Sequence, residues 1–187
     1  MAVLLERRFL KQSELAGVPF IILMGSLLHF TYEMSGMNPA VALISAVNES
    51  VWEHLKLPFF PALILAAIQY ARLRKLYPNF LYGKAVGVFS MPVIIVVGFY
   101  AYKAVFHSSN LAYDIGLFMA SVAAGQLISY KLVLKHGGKP VNILPIIALT
   151  LAVVLFFLFT FNPPHLEIFK DPLTGGYGVE SRIRYTV

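Results

Sequence analysis

The sequence predicts an all-α, polytopic membrane helix bundle with about five spans. Three observations carry that prediction. Hydrophobic residues make up 58% of the 187 positions and charged residues only 13%. Mean hydropathy is +0.73, and the charges fall between long apolar runs. Soluble domains are nearer about a quarter charged. The same figures exclude a disordered chain, a collagen-like chain, a disulfide scaffold and an ordinary cytosolic enzyme. Cysteine is absent, which removes disulfides, thiolate metal ligands and cysteine nucleophiles. The net charge of +6 does not point to nucleic acid, because the basic residues sit at the ends of apolar segments and not on one face.

A helix needs about 20 mostly apolar residues to cross the bilayer core. Leu15 to Gly36 is the first candidate, free of charge to Leu28 and then carrying His29 and Glu33. The basic residues ahead of it resemble a signal-peptide n-region, but no small-residue cleavage site closes the run. The span is therefore expected to be retained. The stretch from residue 39 to residue 56 begins with Asn38-Pro39, a good helix start. One helix from 39 to 74 would be about 54 Å long, against a core of roughly 30 Å. A bend is expected at Pro58 and Pro61, with an interfacial or re-entrant helix at 39–56 feeding the second span. A sixth full span is the rival reading. Leu57 to Ala71, Ala85 to Tyr102, Leu111 to Tyr130 and Ile143 to Phe161 complete the five, and only Asp114 charges them.

Lys and Arg accumulate on the cytoplasmic side of membrane proteins. Arg7, Arg8, Lys11, Arg72, Arg74, Lys75, Lys84, Lys131, Lys135 and Lys139 then lie inside, and Lys56, Lys103, Lys170, Arg182 and Arg184 outside. That division places residues 1–14 in the cytoplasm as a tail, 15–161 in the bundle, and 162–187 outside, in a single domain. The sixth-span rival would move Arg72 to Lys84 outside, against the rule. Gly137-Gly138 and Gly175-Gly176 read as turns. The C-terminal stretch keeps Leu166, Ile168, Phe169 and Tyr177 among its turn formers. It is expected to pack on the outer face and to bring His165, Glu167 or Asp171 near the other polar groups.

On this topology most acids and histidines gather at the outer end, although neither type was used to set it. Glu33, Glu49, Glu53, Asp114, His29 and His54 lie there, several within apolar segments, whereas His136 falls inside. Ionisable groups at membrane depth usually face the protein interior or a wet cavity. His29 and Glu33 share a helix face, as do Glu49 and Glu53. Each has a structural reading as well: a backbone bond for His29, an interfacial position for Glu33, an i, i+3 pair for Glu53 with Lys56, and a helix cap for Asp114.

Imidazole and carboxylate together suit a divalent metal, zinc first, with an open position to activate water. His29, Glu33, Glu53 and His54 are the expected ligands. Glu49, Glu53 and Asp114 are the expected acid–base groups, and Tyr32, Asn48, Ser50, Trp52, Gln126 and His165 the pocket. The spacing is not that of a zincin helix. No nucleophile elbow and no phosphate loop is present.

The stretches Asn48-Glu-Ser-Val-Trp-Glu-His-Leu-Lys56, His29-Phe-Thr-Tyr-Glu33 and Pro163-Pro-His-Leu-Glu-Ile-Phe-Lys-Asp-Pro172 resemble an uncharacterised family of small multipass bacterial membrane proteins. The resemblance covers nearly the whole chain. It implies an integral membrane fold in a bacterial cell membrane and no particular activity.

The expected function is a metal-assisted hydrolase acting on a lipid-like or membrane-partitioned substrate. A solute-binding transport subunit or small ion pathway, working on a small polar ligand with a membrane partner subunit, is the alternative. A non-catalytic assembly or sensor protein is the third. Gly83, Gly87, Ala120 and Gly125 suit close helix contacts, either within one bundle or in a homo-oligomer.

Overall fold

The computed structural model describes residues 2–135 and 143–183. His136, Gly137, Gly138, Lys139 and Arg184 lie outside them. Within them the chain is a helical bundle. Its elements are α1 (Ala2–Met34), α2 (Pro39–Ala42), α3 (Val51–Leu73), α4 (Phe80–Phe106), α5 (Leu111–Leu134), α6 (Ile143–Phe161), a 3₁₀ turn (Glu167–Phe169) and α7 (Glu180–Ile183). The five helices α1, α3, α4, α5 and α6 are long and apolar enough to cross a membrane. Their outward residues include Leu23, Ile68, Val97, Leu144 and Leu151, all largely exposed. That much exposed apolar surface suits lipid rather than water.

The first helix starts at Ala2 and not at Leu15. Residues 2–14 are therefore no separate tail: Leu10 and Glu14 are buried in the bundle. Helix α1 ends at a left-handed Gly36, φ 69°, a conformation that suits glycine. Asn38 then caps α2 by accepting from Ala40 N–H at 2.9 Å.

The expected helix at 39–56 is corrected here. It stops after one turn at Ala42, and 43–50 is irregular. Asn48 Oδ1 accepts the Ser50 N–H at 2.9 Å, and the Ser50 hydroxyl faces the Glu53 N–H at 3.4 Å. These caps begin α3 at Val51. Residues 51–56 therefore belong to the second membrane helix. The sixth-span reading falls with this, since among the described residues only five helices qualify.

Pro58 and Pro61 do not break α3. Pro61 has no N–H to give the Leu57 carbonyl one turn back. Gly25 of α1 lies against that carbonyl: a Cβ there would stand 2.6 Å from its oxygen. The bare carbonyl thus lies at a close contact between α1 and α3.

Helix α4 runs along α5 through small residues. A Cβ on Gly87 would meet Ser129 Cβ at 2.7 Å, and one on Gly83 would meet Val133. Gly83, Gly87 and Gly125 are consequently used inside one bundle. The apolar core runs through Ile21, Leu57, Phe59, Met91, Val122 and Phe156.

Candidate metal centre

The end of α1, the 43–50 loop and the start of α3 meet at one end of the bundle. Three side chains converge there. His29 Nε2 and His54 Nε2 are 3.1 Å apart. Glu49 Oε2 lies 3.4 Å from His54 Nε2 and 3.7 Å from His29 Nε2. Ligands 2.0–2.2 Å from a tetrahedral zinc stand about 3.4 Å from one another, so the spacing fits such an ion.

The chemistry of the donors agrees. His54 Nδ1 lies 2.8 Å from the Ser50 carbonyl. A carbonyl only accepts, so Nδ1 carries the proton and, in the neutral ring, Nε2 presents its lone pair. Two ring nitrogens at 3.1 Å beside a carboxylate need a proton or a cation between them. The three side chains are between 27% and 31% exposed, so the group is reachable but partly dry. Hydrogen bonds from His29 first and His54 second, and the two rings' charge, hold the Glu49 carboxyl far below its usual range, against a smaller opposing effect of burial. Glu49 therefore presents a carboxylate, as a metal ligand must. Among the described residues these three form the group of His and acidic side chains able to hold an ion.

Of the four expected ligands, His29 and His54 are in this group. Glu49, expected as an acid–base group, joins them as the third. Glu53 does not. Its carboxylate accepts from Lys56 Nζ at 2.7 Å and from the Val47 N–H at 3.1 Å, fully buried. Side chains one residue apart point about 100° apart round a helix, so Glu53 turns inward where His54 turns to Glu49. Glu33 is exposed near the end of α1. Asp114, in the first turn of α5, lies within electrostatic reach of His54.

The expected pocket residues scatter. Tyr32 is buried beside Ala42 and Val47, and its N–H donates to Ser45 Oγ. Ser50 caps α3. Trp52 packs on Phe156 and Phe169, ring centroids 4.9 and 4.8 Å away, with its indole N–H unpartnered. Gln126 donates to the Glu14 carbonyl at 3.3 Å. Fifteen residues along α1 separate Glu14 from His29, about 22 Å, so Gln126 belongs to the other end.

The C-terminal segment does fold back, but it carries none of its ionisable groups into the centre. His165 stacks on Tyr177 at 4.5 Å. Glu167 pairs with Lys103 at 3.2 Å, and Asp171 accepts from Leu173 N–H and the Thr174 hydroxyl. The segment acts on the centre through Asn48, whose amide donates to the Gly178 carbonyl at 3.0 Å and faces Ser181 Oγ at 3.1 Å.

Sequence reasoning assigned Lys56 to the outer side and gave it no role beyond a surface pair with Glu53. It is fully buried, and it also donates to the Ala42 carbonyl at 3.0 Å, the Ser45 carbonyl at 3.2 Å and the Thr160 hydroxyl. One ammonium thus ties the chain leaving α2, α3 and α6 together. At the opposite end Glu14 and Lys84 form a second buried pair, joined by Ser129.

The chain belongs to a family of unknown function, DUF6512, whose model matches residues 6–179. No curated protein and no solved structure matches it.

Proposed function

We propose, for this member of a family without an assigned activity, a multipass membrane metalloprotein. His29, Glu49 and His54 would hold a divalent ion, zinc by preference, with one position open, and the protein would hydrolyse a lipid-like, membrane-partitioned substrate. The convergence of two imidazole nitrogens and a carboxylate at zinc-ligand spacing carries this reading. Two His and one Glu with a free fourth position are a ligand set of catalytic zinc sites. Such an ion polarises a carbonyl or phosphoryl oxygen and makes bound water a nucleophile near neutral pH. Asp114, which feels the charge of His54, would take up the proton of that water, and the partial exposure of the three ligands would admit a substrate.

The charge pattern supports a cytoplasmic N-terminus. Arg7, Arg8, Lys11, Arg72, Arg74, Lys75 and Lys84 gather at one end, where Arg72 meets Glu6 at 3.5 Å. The centre then faces the extracytoplasmic side of a cell membrane.

The test is turnover of a panel of ester, amide and phosphodiester lipids by zinc-loaded protein in detergent. Product that disappears in His54→Ala, and falls by about 10²-fold or more in Asp114→Asn, supports a hydrolase. No product from any class, or equal product from His54→Ala, overturns it. The buried Glu14–Lys84 pair favours a second reading, an ion or proton pathway. Ionisable residues at membrane depth mark such pathways, and Glu14 Oε2 and Gln69 Oε1 are buried acceptors without partners. Proton flux in liposomes that is lost in Glu14→Gln would select that reading.

A further inference from the structure

A cleft of about 390 Å³ opens where α3 ends and α4 begins, at the opposite end of the bundle from His29. Tyr70, Arg74, Lys75, Tyr77, Phe80 and Leu81 line it. Two of the lining residues are cations and none is acidic. Arg74 leans on Tyr70, its Nη1 donating to the hydroxyl at 3.4 Å and its guanidinium 5.0 Å from the ring centroid. Neither contact neutralises it. Near Tyr77 the charge of Glu6 outweighs the opposing charge of Arg7, but Glu6 lies outside the cleft lining and is paired with Arg72 at 3.5 Å. The charges of the lining itself, Arg74 and Lys75, are therefore both positive.

Its depth also matters. It lies between the ends of two membrane-crossing helices, Val51–Leu73 and Phe80–Phe106, where headgroups and aromatic side chains meet. A planar guanidinium beside an ammonium suits the oxygens of a phosphate. The rings of Tyr70 and Phe80 and the Leu81 side chain offer an apolar wall where a glycerol backbone would rest. Basic pockets at helix ends bind anionic headgroups in this way. We propose that this cleft binds the phosphate of an anionic phospholipid headgroup. A zwitterionic headgroup brings its own ammonium and is disfavoured beside Arg74 and Lys75. The inference is independent of the metal reading, since it concerns other residues at the other end.

The experiment is native mass spectrometry of the full chain in neutral detergent, with equal amounts of phosphatidylglycerol and phosphatidylcholine. Phosphatidylglycerol should be retained about tenfold over phosphatidylcholine. The preference should vanish in Arg74→Ala/Lys75→Ala and survive in Lys103→Ala, which removes a cation at the other end. Arg74 and Lys75 are exposed, so circular dichroism should show the double variant folded. Charge reversal in Arg74→Glu should turn the preference round. Equal retention of the two lipids, or an unchanged preference in the double variant, would overturn the site. Displacement of the lipid by excess inorganic phosphate would overturn the lipid as occupant and identify a soluble phosphate instead.

Discussion

Two polar groups lie side by side at one end of this bundle, and they are built on opposite terms. Glu53 and Lys56 are fully buried, and each finds its partners within the protein: a carboxylate against an ammonium, then Val47 N–H, two carbonyls and Thr160. His29, Glu49 and His54 are half-buried and converge on one another, the carboxylate 3.7 and 3.4 Å from the two ring nitrogens. The first group is complete and reads as structure. The second gathers three metal-ligating atoms within 4.8 Å where solvent can reach them, and reads as a site. Adjacent residues on one helix, Glu53 and His54, belong to the two groups, so their chemistry is decided by which way each side chain turns.

The comparison is broken most severely by removing one member of the complete group. Lys56→Met or Glu53→Gln leaves the other charge buried and unpaired, which costs about 3–5 kcal/mol. The double variant should recover a large part of that loss, because replacing both partners avoids the stranded charge. Chemical or thermal unfolding in detergent measures this. Single variants as stable as wild type would show that the pair does not hold the fold together.

The half-buried group should respond to ligand and not to truncation alone. Zinc at a hundred times its dissociation constant should stabilise the wild type by about 2.7 kcal/mol, read as a rise in Tm. The rise should be absent in His29→Ala, whose metal-free stability should stay close to wild type.

Asn48 connects the two groups to the C-terminal segment. Asn48→Ala strands the Ser50 N–H, at a cost of about 1–3 kcal/mol, and removes the amide's bond to the Gly178 carbonyl, which keeps the Ser181 hydroxyl and N–H as donors. The loosened loop should also weaken zinc binding by about tenfold. Calorimetric titration with zinc would check it, and unchanged affinity would mean that the tail does not position Glu49.

The smallest expected effect concerns pH. The folded pKa of Glu49 is depressed, so its carboxylate contributes stability that is fully present above the unfolded value, about 4.3. That contribution is lost as pH falls below this value toward the folded one. The Tm difference between metal-free wild type and Glu49→Gln should close as the solution is acidified past that point. A difference that grew on acidification would contradict the assignment of Glu49 as a carboxylate held by the two histidines.

Much of this fold was legible in the sequence. The five apolar runs became five helices because length and hydropathy suffice to identify a span. The loop at 43–50 was less legible, since its apolar residues keep helical character. Only the competing caps by Asn48 and Ser50 show where α3 begins. That start decides the site: helical spacing paired Glu49 with Glu53, whereas the loop swings Glu49 across to His54 and His29. Glu14 and Lys84 escaped notice for a different reason. Each charge sits at the boundary of an apolar run in the sequence, yet each lies inside a longer helix and pairs with the other. Ionisable residues immediately before two separate runs, of opposite sign, were the signal that a buried pair would satisfy both.

The central claim is that His29, Glu49 and His54 hold a metal ion. Elemental mass spectrometry of the purified, detergent-solubilised chain tests it directly, with His54→Ala measured alongside after zinc-supplemented purification. About one zinc per wild-type chain is expected, the stoichiometry of a single three-ligand site, with that zinc lost in the variant. No bound metal in the wild type, or the same content in both proteins, would contradict it.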